Sequence, residues 1–343
     1  MTRRAAVIGL GDISALHLDA ISKLADAELV AVCDVDAARR AAASDRWSVP
    51  AFADHRELLA EAAPDVVHVC TPHSTHAEIA IAALDAGVNV ILEKPVAHDP
   101  VEAAAVVDAA NRSTAKIAVC FQNRYNTPVA AAHELLASGK LGRVLGGSGT
   151  VIWHRTPEYY QAAPWRGTWQ GGGGGLLMNQ AIHTLDLLQW LVGPVDSVEG
   201  TAATRALPIE VEDTAEMTLQ HENGARSVFY ATNTHATNDP VSIDIVTERA
   251  ELSIRGDLTV SYADGTVETV TEALTATGER SYWGVSHERL IGDFYATLDD
   301  TAPFWISPAD GASVVEIIYD VYAASYPERV ASFLPATKRS TPA

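Results

Sequence analysis

At 343 residues, with 48% hydrophobic and 20% charged residues, the chain is long enough for two domains with separate cores and has the balance of a globular protein. Its formal net charge of -20 argues against nucleic acid or an anionic membrane as a partner, because both need a positive footprint. A phosphate-bearing cofactor stays admissible, since backbone N–H groups hold phosphate without net basic charge.

Cys33, Cys70 and Cys120 sit in or after β-branched runs and show neither CxxC pairing nor zinc-ligand spacing. They read as buried small hydrophobes, and no metal site is expected. Arg3-Arg4 is followed by no apolar segment with a cleavage site, and no stretch reaches the length of a membrane span. A cytoplasmic protein is expected.

The first 120 residues alternate β-branched runs with alanine-rich stretches. Strands are predicted at Ala5–Ile8, Leu29–Cys33, Val66–Cys70, Asn89–Leu92 and Lys116–Cys120. Helices are predicted between them at His17–Ala25, Ala37–Ser44, His55–Ala62, His76–Ala86 and Pro100–Arg112. That rhythm predicts a doubly wound parallel sheet covered on both faces. Beyond about residue 123 the pattern changes. A helix at Ala130–Ser138 leads to an extended run at Val144–Trp153, a loop rich in aromatic residues, Pro and Gly, and a helix at Leu176–Leu191. Period-two stretches follow at Ala215–Gln220, Ala225–Thr232, Val241–Thr247 and Leu258–Tyr262, with turn signals at Asn223-Gly224 and Asp264-Gly265. They predict an antiparallel sheet. Helices return at His287–Leu298 and Asp310–Ser325. The division expected is a dinucleotide-binding domain over residues 1–122 and a substrate-binding, oligomerising α/β domain over 123–343, whose last helices pack back on the first.

"AAVIGLGDISALHLDAI" places Gly9 and Gly11 directly after the first strand and at the opening of a helix. Gly9 permits a tight turn, and Gly11 lets backbone N–H groups approach a pyrophosphate at the helix N-terminus. Ser14 stands where a third glycine is usual, and Asp12 and Ile13 complete the turn. Asp34 ends the second strand, where a carboxylate binds a ribose 2′-hydroxyl and repels a 2′-phosphate. NAD is therefore favoured as cofactor, with NADP admitted by Arg39 and Arg40, whose guanidinium groups suit a phosphate or an adenine ring. The bland alternative is that "CDVD" is a helix cap, with Asp36 as the capping residue.

"VCTPHSTHAE" (69–78), "ILEKPVAHDP" (91–100), the GxGxxS turn and the GGG…H…D helix occur in this order. Together they resemble the Gfo/Idh/MocA oxidoreductases, a family similar to inositol, glucose–fructose and nucleotide-sugar dehydrogenases. The resemblance covers nearly the whole chain. It implies a Rossmann domain followed by an α/β domain with an open, mainly antiparallel sheet that makes homodimer or homotetramer contacts. It implies that Glu93-Lys94-Pro95 carries a catalytic lysine, Lys94, at the carboxyl end of a parallel strand, where an ammonium stabilises negative charge on a reacting oxygen, and that Glu93 and Lys94 are among the cofactor-binding residues. Pro95 fixes the turn that aims it. The resemblance also places Thr71, Pro72 and His76 around the cofactor. His73 stands where asparagine is more usual, and His76 equally suits a structural place at a helix start.

"GGGGGLLMNQAIHTLDLLQWL" (171–191) runs five glycines into a helix with Asn179 and His183 at i and i+4 and Asp186 three further on. These three share one polar stripe of an α-helix. The glycines allow a positive φ at the helix entry and close approach of a flat ring or sugar. By itself His183 reads as a satisfied core histidine, but it aligns with the catalytic histidine that the resemblance implies, a general base for a secondary alcohol. Asn179 replaces a typical aspartate, so proton work shifts to Lys94 and His183, while Asn179 orients the ring or holds a hydroxyl. Trp165-Arg166 resemble a motif that reaches the cofactor. "FQNRYN" (121–126) puts Gln122 beside the cofactor and offers Arg124 and Tyr125 to substrate, against an equal salt-bridge reading. Tyr160 and His287 are weaker substrate candidates. The expected substrate is a sugar, glycoside or cyclitol, oxidised at a ring secondary alcohol. Two rival readings use the same fold: a glycoside-cleaving enzyme that oxidises transiently with bound NAD, and a non-catalytic NAD-binding sensor.

Overall fold

The computed structural model describes residues 2–272 and 286–333. The described residues fall into two compact units, one drawn from 1–98, 102–125 and 274–312, the other from 99–101, 126–273 and 313–343. Among the described residues no helix is long and apolar enough to cross a membrane.

In the first unit the chain runs β1 (Arg3–Ile8), α1 (Ser14–Lys23), β2 (Ala27–Cys33), α2 (Ala37–Trp47), β3 (Ala51–Phe52), α3 (His55–Ala62), β4 (Val66–Val69), α4 (His76–Asp85), β5 (Asn89–Leu92), α5 (Pro100–Arg112) and β6 (Ile117–Val119). The six strands are parallel in the order β3-β2-β1-β4-β5-β6. Chain order reverses between β1 and β4, which opens the ligand-binding crevice of this fold at the carboxyl ends of those strands. Every residue of β4 and β6 is buried, which is why these strands read as continuous apolar runs. His68 is the exception in composition, a fully buried polar ring within β4. The predicted ranges of β5, α3 and α5 coincide with the observed ones. β3 escaped prediction because two residues carry no periodicity. α1 starts at Ser14 rather than His17, because the Ser14 hydroxyl donates to the Gly11 carbonyl at 2.6 Å and begins the helix at the glycine turn.

The second unit contains α6 (Thr127–Ala137), β7 (Val144–Ile152), the short α7 (Pro157–Gln161) and α8 (Trp169–Gly172), and α9 (Ile182–Val192). Strands β8 (Val195–Ala203), β9 (Thr214–His221), β10 (Arg226–Thr232), β11 (Ser242–Thr247), β12 (Ala250–Arg255), β13 (Asp257–Tyr262) and β14 (Val267–Val270) follow. Beyond them are α10 (Ser286–Ala296), which belongs to the first unit, α11 (Pro308–Ser325) and α12 (Pro327–Phe333). The sheet has eight strands in the order β14-β13-β12-β11-β7-β10-β9-β8, antiparallel except where β7 pairs with β10. α9 lies on β7. A Cβ added to Gly147 would sit 3.4 Å from Leu188, and one on Gly149 3.3 Å from Thr184.

The predicted Leu176–Leu191 helix is not one α-helix. Residues Leu177–Ala181 form a π-turn, and α-helix begins at Ile182. The wider turn changes the phase of Asn179 relative to α9, while His183 and Asp186, both within α9 at i and i+3, still share a face; Asp186 is 1% exposed and His183 half-buried.

Candidate functional site

Gly9 has φ +91°, and a Cβ there would lie 2.6 Å from the Cys70 carbonyl carbon, so only glycine fits where β1 leaves the sheet. Gly11 differs. A Cβ at that position would meet nothing within 4 Å, so its backbone faces open space at the start of α1. Asp12 beside it is exposed and Ile13 half-buried. Asp34 Oδ2 accepts from the Leu10 N–H at 2.7 Å and Oδ1 from the Asp36 N–H at 2.8 Å. The carboxylate is thus pinned against the glycine turn, and each oxygen retains a lone pair for a sugar hydroxyl. Asp36 caps α2 by accepting from the Ala38 and Arg39 N–H groups, so the cap and the ribose acid are different residues. Arg39 Nη1 stands 3.8 Å from Asp34 Oδ2 on a largely exposed side chain.

Gln122 is buried, and its Oε1 accepts no hydrogen bond among the described residues. An orphaned acceptor costs about 1–3 kcal/mol, and a carboxamide N–H₂ is a group that satisfies it. The open Gly11 backbone, the spare lone pairs of Asp34 and the acceptor of Gln122 together fit a nicotinamide dinucleotide.

His76 opens α4 with its ring nitrogens 2.7 Å from the Pro95 carbonyl and 2.9 Å from the Thr71 carbonyl. Burial lowers its pKa against the pull of those two acceptors, so the neutral ring donates one N–H and joins the turn after β4 to the turn after β5. Thr71 Oγ1 accepts from the Thr75 hydroxyl at 2.8 Å, and His73 is buried with its ring 5.7 Å from that of His76. Lys94 is half-buried just past the carboxyl end of β5 and precedes a cis bond to Pro95.

The side chain before it, Glu93, is enclosed. Its Oε1 accepts from His17 Nε2 at 3.0 Å and from His287 Nε2 at 3.2 Å, and the Cys120 thiol shares a further hydrogen bond with it. His17 Nδ1 lies 2.9 Å from His68 Nδ1, and His68 Nε2 lies 3.0 Å from the Tyr295 hydroxyl. Burial works against ionisation of Glu93, but the hydrogen bonds from His17 and His287 prevail and hold its carboxyl well below the usual range. Burial also keeps the imidazoles of His17 and His68 below their ordinary range, so both are neutral. One direction of donation satisfies the whole chain: Tyr295 O–H to His68, His68 Nδ1–H to His17, His17 Nε2–H to Glu93. The sequence reading offered His287 to substrate; the structure gives its Nε2 to Glu93 and leaves it 4% exposed. His17, His68 and Tyr295 were not singled out, although a histidine inside "VVHVC" is itself a signal.

Arg124 and Tyr125 have partners within the first unit. Arg124 is 3% exposed, 3.1 Å from Asp310 Oδ1, with its guanidinium over the Phe121 and Trp305 rings. The Tyr125 hydroxyl donates to Asp293 and accepts from Trp305 Nε1. The salt-bridge reading describes Arg124 as it stands.

In the second unit the glycine run admits the chain's own groups rather than a ring or sugar. A Cβ on Gly171 would lie 2.7 Å from the Trp165 Cβ, one on Gly174 2.2 Å from the Tyr322 hydroxyl, and one on Gly175 2.2 Å from the Glu212 carbonyl oxygen. The expected positive φ does occur, at Gly173 (+70°) and Gly174 (+157°). Glu212 then fastens the helix entry. Its Oε2 accepts from the Gly175 N–H at 2.9 Å, and its Oε1 from the Leu177 N–H and the Tyr322 hydroxyl, both at 2.7 Å. From Leu176 to Leu188 every residue is buried except Asn179 and His183. The Tyr159 hydroxyl accepts from Gln180 Nε2 at 3.1 Å, and Asn179 Nδ2 lies 3.4 Å away. The Tyr159 ring carries the guanidinium of Arg166 at 4.7 Å and that of Arg155 at 5.4 Å, with Trp165 beside Arg166 at 5.7 Å. Tyr160, the residue that sequence suggested, is 5% exposed and accepts from Asn233 Nδ2 at 3.0 Å. Its half-exposed neighbour Tyr159 is the tyrosine within reach of Asn179 and Gln180.

Residues 3–121 match the profile of an oxidoreductase family with an NAD-binding Rossmann fold, and residues 129–253 match the GFO/IDH/MocA C-terminal domain. Levoglucosan dehydrogenase of Pseudarthrobacter phenanthrenivorans is 30% identical over 216 residues, which are 56% of this chain and 55% of that protein. The match thus spans about half the length of that curated relative. Among solved structures, the WlbA dehydrogenase from Chromobacterium violaceum in complex with NADH and UDP-GlcNAcA is similar with a TM-score of 0.83 at 30% identity, covering 96% of this chain and 95% of that one. Levoglucosan dehydrogenase in complex with NADH and levoglucosan is similar with a TM-score of 0.84 at 26% identity, covering 96% and 98%.

Proposed function

The chain belongs to the Gfo/Idh/MocA family of NAD-binding oxidoreductases, and on that footing we propose that it moves a hydride between a ring secondary alcohol of a sugar, glycoside or cyclitol and the nicotinamide, with Lys94 and His183 handling the proton. One observation carries the reading: through thirteen residues of buried helix, Leu176 to Leu188, only Asn179 and His183 keep exposed surface. A buried helix that keeps an imidazole and an amide accessible offers them to a ligand.

When bound, the nicotinamide supplies the hydride acceptor. The chain's residues do the rest. His183 takes the hydroxyl proton as general base, the usual role of an imidazole beside a secondary alcohol. The Lys94 ammonium stabilises the charge that develops on that oxygen. Asn179 holds a neighbouring hydroxyl, and Tyr159 fixes the position of its amide. Gly11, Asp34 and Gln122 hold the dinucleotide at pyrophosphate, ribose and carboxamide, with Gly9, Asp12, Ile13, Arg39, Thr71, Pro72, His73 and His76 shaping that cleft. Trp165 and Arg166 complete cofactor binding. The protein works in the cytoplasm as a homodimer or homotetramer.

The test is NADH absorbance with purified protein, NAD and a panel of inositols, monosaccharides and glycosides. Turnover on at least one polyol is expected, falling by about 10²–10⁴ in Lys94→Met and in His183→Asn with NAD still bound. Silence across the panel with NAD retained through purification would favour the internal redox cycle instead.

A further inference from the structure

Glu93 is an unusual place for a negative charge. It is 5% exposed, at the carboxyl end of β5 and one residue before Lys94. A carboxylate leaves water only when donors compensate it, and here the donors are the His17 and His287 imidazoles and a thiol. Burial, which holds the His17 pKa below its ordinary range, keeps this ring neutral, with its second nitrogen 2.9 Å from His68. A glutamine would fill the same volume without a buried charge. The buried anion, next in the chain to the Lys94 ammonium, makes the potential at this end of β5 more negative than a neutral side chain would. Its position says which ligand: ligands of this fold bind outside the carboxyl ends of the strands, and the glycine turn at Gly11 leads directly into α1, whose first turn carries His17. The oxidised nicotinamide ring is a cation and the reduced ring is neutral.

We propose that the Glu93 carboxylate is a determinant of cofactor oxidation state, favouring the oxidised, positively charged nicotinamide over the reduced, neutral one, with His17 and His287 as the residues that position it. The proposal rests on the cofactor half of the functional reading and not on the substrate. Two unit charges about 10 Å apart attract, at an effective dielectric of about 20, by an amount worth on the order of tenfold in a dissociation constant, and a few-fold where solvent screens them.

Equilibrium titrations of the full chain with NAD⁺, NADH and benzamide adenine dinucleotide, whose flat carboxamide ring has no charge, test it without any substrate. In the wild type, NAD⁺ should bind at least about threefold more tightly than the uncharged isostere. In Glu93→Gln that advantage should vanish and the NAD⁺/NADH ratio of dissociation constants should rise by about threefold or more, while Glu93→Asp keeps the wild-type ratio. Equal loss of affinity for NAD⁺ and NADH in Glu93→Gln would reduce Glu93 to a structural part and overturn the proposal. Should Glu93→Gln fail to fold, the wild-type comparison decides alone: equal binding of NAD⁺ and the isostere overturns it. Failure of the wild type to bind any dinucleotide would instead overturn the cofactor reading, and the proposal with it.

Discussion

His17 Nδ1 and His68 Nδ1 lie 2.9 Å apart, and both rings are fully buried. One nitrogen must donate and the other accept, so a proton added to either ring leaves His68 Nε2 as a donor and turns the Tyr295 hydroxyl from donor to acceptor. Burial keeps both pKa values below the unfolded value near 6.5. The unfolded chain therefore binds more protons below pH 6.5, and the stability these rings contribute is full above that pH and lost as pH falls beneath it. The expected loss is at least about 1 kcal/mol between pH 6.5 and 5.5. Glu93, whose carboxyl is held low, adds a second loss only below about pH 4.5. Chemical unfolding from pH 8 to 5 should show this acid slope in the wild type and a shallower one in His68→Leu. Identical slopes would mean that the pair does not titrate in this window.

Gly11 and Gly174 look alike in the sequence, and the structure predicts opposite consequences for them. A Cβ on Gly174 meets the Tyr322 hydroxyl at a φ of +157°, whereas one on Gly11 meets nothing within 4 Å. Gly174→Ala should lower stability by about 2–4 kcal/mol, through overpacking and backbone strain. Gly11→Ala should stay within about 0.5 kcal/mol of wild type, yet weaken NAD binding at least about tenfold, because the methyl group occupies the cofactor's approach. Thermal melting with and without NAD separates the two cases.

This contrast marks the limit of what the sequence discloses. Strands buried on both faces announce themselves as apolar runs, so β1, β4 and β5 were legible, and so were the glycine turn and Asp34. The antiparallel sheet was legible only where one face alternates. β12 does alternate, as "AELSIR", and was recoverable, whereas β8 and β14 at the sheet edges are too polar to stand out. The glycine run showed that something must approach the backbone but not what, because Trp165, Tyr322 and Glu212 arrive from other parts of the chain. The π-turn at Leu177–Ala181 leaves no periodic mark over five residues. His17 and His68 looked like isolated core histidines because their meaning lies in each other, 51 residues apart.

Arg39 stands 3.8 Å from Asp34 Oδ2, and on the proposed reading their opposition sets the choice between NAD and NADP. The Asp34 carboxylate repels a 2′-phosphate and occupies the guanidinium that would otherwise bind one. Asp34→Asn keeps an acceptor for the Leu10 N–H but removes the charge, so preference should move toward NADP by at least about tenfold. Arg39→Ala in that background should reverse the gain. A gain that survives loss of Arg39 would place the phosphate elsewhere, and paired dissociation constants for the two cofactors make the distinction.

Glu212 gives a pH dependence of the opposite sign. Burial pushes its carboxyl up to about 7, against the hydrogen bonds from Leu177, Tyr322 and Gly175. Between the unfolded value near 4.5 and about 7 the folded state binds the extra proton, so this group's contribution to stability falls as pH rises through that window, by at most about 3 kcal/mol. Glu212→Gln cannot ionise, and its N–H₂ faces a donor at Gly175 or Leu177. The variant should therefore be less stable at pH 5, by about 1–3 kcal/mol, and the deficit should shrink toward pH 8 as the wild type bears the cost of its buried charge. Unfolding curves of both proteins at pH 5, 6, 7 and 8 measure the deficit directly, and a deficit that is constant with pH would show that Glu212 does not titrate there. Because the same carboxyl accepts from the Leu177 N–H at the start of the π-turn, loosening it should also lower kcat more than it raises KM, since Asn179 and His183 are carried by the segment that it fastens.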